Sequence, residues 1–189
     1  LPASTGAAFV VIQHLSPDHK SMMASLLARH TAMPVQMVED GMALAPNAVF
    51  LIPPGTLMRV DQGRLRLTPK APRMLTLPID VFFHSLAESC RDRAVAVVLS
   101  GTGSDGTRGA TSINASGGLL IAQDPETAKF DGMPRSVIGT GLVDVVLPVD
   151  QIAARLVAHI QRQPVDTGAL KLSVPAEPIS PESAHAAIL

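Results

Sequence analysis

Residues 94–106 read Ala-Val-Ala-Val-Val-Leu-Ser-Gly-Thr-Gly-Ser-Asp-Gly. The first six residues form a continuous apolar run rich in Val, which is typical of a strand buried on both faces of a parallel sheet. The run stops at a glycine-rich loop that carries Asp105, and a helical pattern follows the loop. A second run, 7–12, has the same character and stops at Gln13-His14. Each run therefore predicts a core strand with a polar side chain at its carboxyl end.

Strand and helix patterns alternate around these two runs over most of the chain. Apolar residues recur at helical spacing in 79–90 and again in 149–160, and Asp61-Gln62-Gly63 between two short apolar runs is a hairpin signal. This alternation predicts an α/β fold with a doubly wound, mostly parallel sheet, helices on both faces and a small antiparallel hairpin.

The length of 189 residues suits one full domain. We expect the domain to occupy residues 1–162. From Gln163 onward the periodic pattern gives way to prolines and small residues. Residues 163–189 are therefore interpreted as a Pro-rich flexible linker or tail.

Composition excludes several classes of function. A formal net charge of −1 leaves no basic stripe for nucleic acid. No apolar run is long enough to span a bilayer, so no membrane insertion is expected. A single cysteine, Cys90, fits a reducing cytoplasm and is interpreted as a buried, inert thiol.

His14 and Asp105 are the candidate chemical pair. In open α/β sheets ligands bind beyond the carboxyl ends of the strands, where both side chains are expected. A buried Asp that accepts the Nδ1 proton of a His leaves Nε2 as a general base. Such a pair makes two thirds of a hydrolytic triad, although a lone His after a strand is more often an ordinary structural residue.

The loop at 101–106 has further interpretations. Its glycines and the helix after it suit an oxyanion hole or a phosphate. It matches neither a P-loop nor G-x-G-x-x-G, so a nucleotide site ranks last. His14, Asp18 and His19 match no zinc spacing, and Asp18 is better explained as a helix cap. No metal and no cofactor are therefore predicted.

Seven short motifs occur in one order along the chain: Val-Ile-Gln-His-Leu at 11–15, Val-Glu-Asp-Gly at 38–41, Ile-Pro-Pro-Gly at 52–55, Pro-Ile-Asp-Val-Phe-Phe-His-Ser at 78–85, Leu-Ser-Gly-Thr-Gly-Ser-Asp-Gly at 99–106, Ala-Gln-Asp at 122–124 and Phe-Asp-Gly-Met-Pro-Arg at 130–135. Together they closely resemble the catalytic domain of the chemotaxis protein-glutamate methylesterases, the CheB-type family. The resemblance covers about residues 1–160.

The resemblance implies a Ser-His-Asp triad in which His14 is the general base and Asp105 orients it. It implies that an oxyanion-binding or substrate-binding region is formed by Gln13, Thr102, Gly103, Met133 and Pro134. The implied reaction is hydrolysis of glutamate γ-methyl esters, together with deamidation of glutamines, on the cytoplasmic helices of methylated chemoreceptors. Details of two motifs resemble members fused to a receptor methyltransferase. A catalytically silent, esterase-like binding or regulatory module is the alternative.

The nucleophile is the missing member of the implied triad. The family carries it in a Gly-Ala-Ser-Thr/Ala-Gly-Gly turn after the first strand, and Ala3-Ser4-Thr5-Gly6 is similar at first sight. Ser4 lies only ten positions before His14, and residues 7–12 must form the strand that delivers His14. We therefore interpret Ser4 as an ordinary loop serine, and expect the first strand, the nucleophile turn and the first helix to be missing from residues 1–189.

Overall fold

The computed structural model describes residues 1–14, 22–71 and 76–162, together with the backbone of residues 185–188. In chain order the elements are β1 (Ala7–Val11), α1 (Met23–Ala28), β2 (Val35–Met37), β3 (Met42–Ala43), β4 (Ala48–Leu51), β5 (Thr56–Asp61), β6 (Arg64–Pro69), α2 (Pro78–Cys90), β7 (Ala94–Val98), α3 (Thr107–Ala115), β8 (Leu119–Gln123), α4 (Gly132–Ile138), β9 (Val145–Leu147), α5 (Val149–Arg162) and β10 (His185–Ile188). None of the helices described is long and apolar enough to cross a membrane.

The main sheet has seven strands in the order β2-β4-β1-β10-β7-β8-β9, and every pair is parallel. A second, antiparallel sheet has the order β3-β6-β5. Its hairpin turns at Gln62 and Gly63, both of which have positive φ, as a two-residue turn matching the strand twist requires. The predicted α/β fold with a small antiparallel hairpin is confirmed.

Both faces of the main sheet are covered. Alternate residues of a strand point to opposite faces, so on β1 Ala8 and Val10 join one apolar cluster while Ala7 and Phe9 join the other. The first cluster includes side chains of α2, α3 and α4 and the apolar side of the antiparallel sheet. The second includes side chains of α5. Burial on both sides explains why the strands of this sheet are continuous apolar runs.

Strand β10 lies within the stretch that composition assigns to a flexible tail. It pairs in parallel with β1 on one side and β7 on the other, in the middle of the sheet. Composition did not indicate β10. The strand is four residues long, and it pairs through main-chain hydrogen bonds, which do not depend on particular side chains. Residues 163–184 and 189 lie outside the part of the chain that is described.

Candidate active site

His14 and Asp105 meet at the carboxyl edge of the sheet. His14 follows β1 and Asp105 lies in the loop after β7, and His14 Nε2 is 2.9 Å from Asp105 Oδ2. The two strands are not neighbours, because β10 lies between them. Parallel strands separated by one strand are about 10 Å apart, a gap that two side chains reaching toward each other can close. The structure thus brings the predicted pair together, and their catalytic roles stay predictions.

The ring nitrogen that faces the carboxylate differs from the expected one. We expected Nδ1 to bind Asp105, but Nε2 does so. Nε2 is at the end of the ring farthest from the backbone, and reaching into the loop after β7 requires that length. An ionised carboxylate only accepts hydrogen bonds, so Nε2 carries the proton here and Nδ1 is the nitrogen left to act as a base.

Asp105 is held as a helix cap as well as by His14. Its side chain is 3% exposed, whereas that of His14 is 49% exposed. The carboxylate accepts the backbone N–H groups of Ile79 at 3.0 Å and Asp80 at 2.9 Å, both in the first turn of α2. The residue before that helix, Leu77, supplies no side-chain cap of its own. Asp105 therefore satisfies orphan amides at the positive end of α2.

The loop after β7 is joined to the loop before α4. The Gly101 N–H donates to the Phe130 carbonyl and the Met133 N–H donates to the Gly101 carbonyl, each at 2.9 Å. A Cβ at Gly101 would overlap the Met133 side chain, and one at Gly132 would lie 3.0 Å from the Gly103 nitrogen. Glycine at 101 and 132 thus permits the close approach that shapes this end of the sheet.

A cleft of about 800 Å³ opens beside His14. Residues 11–14 line one wall and residues 97–102 the other, with Met23, Ile79, Phe83, Phe130 and Met133 around them. Of the predicted binding residues, the cleft is lined by Gln13, Thr102 and Met133. Gly103 is exposed on the same loop, and Pro134 is buried in α4. The cleft is mostly apolar, with His14 as its titratable group.

Ser4 lies at the amino ends of the sheet strands, opposite the carboxyl ends where His14 lies. It precedes β1 whereas His14 follows it, and the five residues of that strand alone span about 16 Å. The amides of Thr5 and Gly6 bind Asn47 Oδ1 at 2.7 Å, which holds this segment at the amino end of β4. Ser4 therefore cannot reach the imidazole, in agreement with its interpretation as a loop serine.

Three residues that support the site were not singled out from sequence. Gln123, at the end of β8, accepts the Ser100 N–H at 2.9 Å and donates to the Thr127 carbonyl at 3.1 Å. Phe130 is half exposed at the rim, and the Lys129 ammonium lies 5.6 Å from its ring centre. Asp80 is buried beside Asp105. A carboxylate in the first turn of a helix fits its dipole, so Asp80 carried no separate signal.

Within the described residues no group of three or more His, Cys, Asp or Glu side chains is placed to hold a metal ion. Asp18 and His19, the other members of the cluster considered from sequence, lie outside that part of the chain.

Comparison with known proteins gives the family. The CheB methylesterase model matches residues 1–156. The chain is 58% identical over 142 residues to an uncharacterized 104.1 kDa protein of Rhodobacter capsulatus, covering 75% of this chain and 15% of that one. It is 31% identical over 168 residues to a protein-glutamate methylesterase/protein-glutamine glutaminase of Desulfotalea psychrophila, covering 85% of this chain and 46% of that one.

A solved structure agrees. The Thermotoga maritima CheB methylesterase catalytic domain superposes with a TM-score of 0.76 at 32% identity, covering 84% of this chain and 87% of that one. The chain spans less than half the length of the two relatives just described. The chain belongs to the CheB methylesterase family.

Proposed function

We propose that this protein is the catalytic domain of a protein-glutamate methylesterase that hydrolyses glutamate γ-methyl esters, and deamidates glutamines, on chemoreceptors. The observation that carries the proposal is the His14–Asp105 pair, with Nε2 and Oδ2 2.9 Å apart beside a cleft of about 800 Å³. The family and the names of the relatives support this chemistry.

In the proposed mechanism His14 is the general base. Its free nitrogen takes the proton of a serine hydroxyl as the oxygen attacks the ester carbonyl. The buried carboxylate of Asp105 stabilises the imidazolium that forms, and a backbone amide of Thr102 or Gly103 stabilises the oxyanion. The imidazolium then protonates the departing methoxide to give methanol. Water, activated by His14, releases glutamate from the acyl-enzyme.

We further propose that the nucleophilic serine lies outside the residues that the structure describes. Ser4 is at the opposite edge, and the Ser100 hydroxyl oxygen accepts the Phe130 N–H at 3.0 Å. Among the described residues, Asp105 is the only polar partner of the imidazole. The position between β1 and β7 is held here by β10. A parallel strand that replaced β10 there would deliver the turn after it between His14 and the loop 101–106. A Gly-x-Ser-x-Gly-Gly turn after such a strand would complete the triad.

The test is methanol release from methylated receptor by the native protein that contains this domain and its serine turn. His14→Gln should reduce hydrolysis about a thousandfold or more. His84→Gln is the matched control, since His84 is an exposed histidine on α2 and faces Glu88 and Ser112 rather than the cleft. Hydrolysis that survives His14→Gln would refute the assignment.

A silent binding module is the second candidate. It is favoured by the same observation that no hydroxyl among the described residues contacts the imidazole. It predicts binding to receptor helices with no methanol release, even in the protein that contains the serine turn. Hydrolysis by that protein would exclude it.

The proposed setting is cytoplasmic, with the methylated helices of chemoreceptors as partners. A covalently linked receptor methyltransferase is a further proposed partner. The relative that shares 58% identity is a 104.1 kDa protein of which this domain covers 15%, so a similar domain occurs inside a much longer chain. Sequencing the gene on both sides of the region coding for residues 1–189 tests the fusion and the serine turn together.

A further inference from the structure

The helices α2 and α3 cap each other: a carboxylate at the start of each accepts backbone N–H groups at the start of the other. Asp105, two residues before α3, accepts the Ile79 and Asp80 amides of α2 at 3.0 and 2.9 Å. In return Asp80, in the first turn of α2, accepts the Gly109 amide of α3 with Oδ1 at 2.7 Å. Each helix is thus capped by a carboxylate from the segment that begins the other, and the two caps are adjacent.

The exchange depends on a close helix contact at Gly109. A Cβ on this residue would lie 2.5 Å from Phe83 Cβ and 3.1 Å from both Cα and O of Asp80. The backbone of α3 therefore approaches α2 as closely as glycine allows, and this brings the Gly109 amide within reach of the Asp80 carboxylate. The two helix starts and the Asp105 loop form one closely packed junction.

Burying the Asp80 carboxylate at this junction costs free energy of folding. Asp80 is 9% exposed, and no described residue offers a hydrogen-bond partner to its second oxygen, Oδ2. Burial, together with the negative charge of Asp105, raises its pKa above the ordinary value for an aspartate. A buried carboxylate is costly, so its bond to the Gly109 amide is a contact that this junction keeps despite the cost.

We propose that Asp80 is a positioning residue for the catalytic pair: by holding the start of α3 against α2, it sets where the Asp105 carboxylate meets His14. The path is short. Asp80 fixes Gly109, Gly109 lies in the first turn of α3, and Asp105 immediately precedes that turn. The importance of His14 rests on the proposed function, while the positioning itself does not.

The test is made on the full 189-residue chain. Asp80→Ala removes the acceptor, whereas Asp80→Asn keeps an oxygen that can accept the Gly109 N–H. Glu88→Ala is the control, because Glu88 is an exposed carboxylate on the same helix, facing His84. Amide hydrogen exchange is followed at residues 79, 80 and 109, and NMR nitrogen shifts of the His14 ring report which nitrogen is protonated.

In Asp80→Ala we expect exchange at residue 109 to accelerate about tenfold or more, as for the loss of a hydrogen bond to a charged acceptor. If Asp80 positions Asp105, exchange at 79 and 80 also accelerates and the ring loses its single Nε2–H form, while Asp80→Asn restores both. If Asp80 is only a cap, residue 109 alone changes. That result overturns the proposal.

Asp80→Ser is the second variant if the alanine variant does not fold. A serine hydroxyl can bond within the first turn of α2 but is one bond shorter than the aspartate side chain. The readouts do not require hydrolysis. Inactivity of the native protein that contains the serine turn, beside the expected exchange pattern in the 189-residue chain, would refute the proposed function alone. Activity of that native protein, beside an exchange response at residue 109 only, would refute the positioning alone.

Discussion

Replacing Asp105 should destabilise the fold as well as disable the site. In Asp105→Ala the buried amides of Ile79 and Asp80 lose their acceptor. A buried donor left unsatisfied costs about 1–3 kcal/mol, so two of them predict a loss of about 2–6 kcal/mol. That is a large part of the 5–15 kcal/mol typical of a domain, and at about 2–4 °C per kcal/mol it lowers Tm by roughly 4–24 °C.

The matched variant is His14→Ala. This side chain is 49% exposed and its pair with Asp105 is screened on one side by water, so its loss should change stability by about 1 kcal/mol or less. Urea unfolding followed by circular dichroism measures both variants. Equal losses in the two, or an Asp105→Ala loss below about 0.5 kcal/mol, would show that Asp105 is not the cap of α2.

Three further changes have definite expected outcomes. Gly109→Ala should lower the free energy of unfolding in urea by about 1–3 kcal/mol, because the new Cβ meets the Phe83 side chain and the Asp80 backbone. The control is Thr111→Ala, at an exposed position of the same helix, which should not lower it. Equal free energies for the two variants would contradict the close contact at Gly109. Asp80→Asn should change the pH dependence of stability. Because the folded pKa of Asp80 is raised above 3.8, its contribution is fully present below that value and is lost as pH rises through the folded pKa. The free energy of unfolding of Asp80→Asn relative to the native protein should therefore increase as pH rises above about 4, and a constant difference would refute this. Ser4→Ala should leave hydrolysis by the native protein with its serine turn unchanged; any large loss would overturn the assignment of Ser4 to the opposite edge.

The strands and the two polar strand ends could be predicted because their causes are local. A Val-rich run buried on both faces and a glycine loop that starts a helix are readable in residues 94–106 alone. The hairpin at Gln62 and Gly63 is readable for the same reason, since positive φ limits which residues occupy the turn. Motif order then identified the family, which the comparisons confirm.

Strand order and the supports of the site depend on tertiary placement. Nothing local indicates that β10 lies between β1 and β7, or that the far nitrogen of His14 reaches the carboxylate. The capping exchange joins residues 80 and 105, which are 25 positions apart in sequence. From sequence, each carboxylate is explained as an acidic residue near the start of its own helix. That local explanation gives no reason to expect the amides of the other helix as its hydrogen-bond partners.

The double use of Asp105 limits how the site can vary. The carboxylate that orients His14 also accepts backbone N–H groups in the first turn of α2. A substitution of Asp105 that changes the orientation of the imidazole therefore also removes or weakens the cap of that helix. His14 is under no such constraint, because its other side faces the cleft and solvent. We therefore expect stability and hydrolysis to be coupled in variants of Asp105 and of its neighbour Asp80, and separable in variants of His14. The measurement is the rate of hydrolysis and Tm for a set of substitutions at each of these three positions. The two quantities should fall together at Asp105 and Asp80 but not at His14. A fall in both quantities at all three positions would contradict the capping exchange.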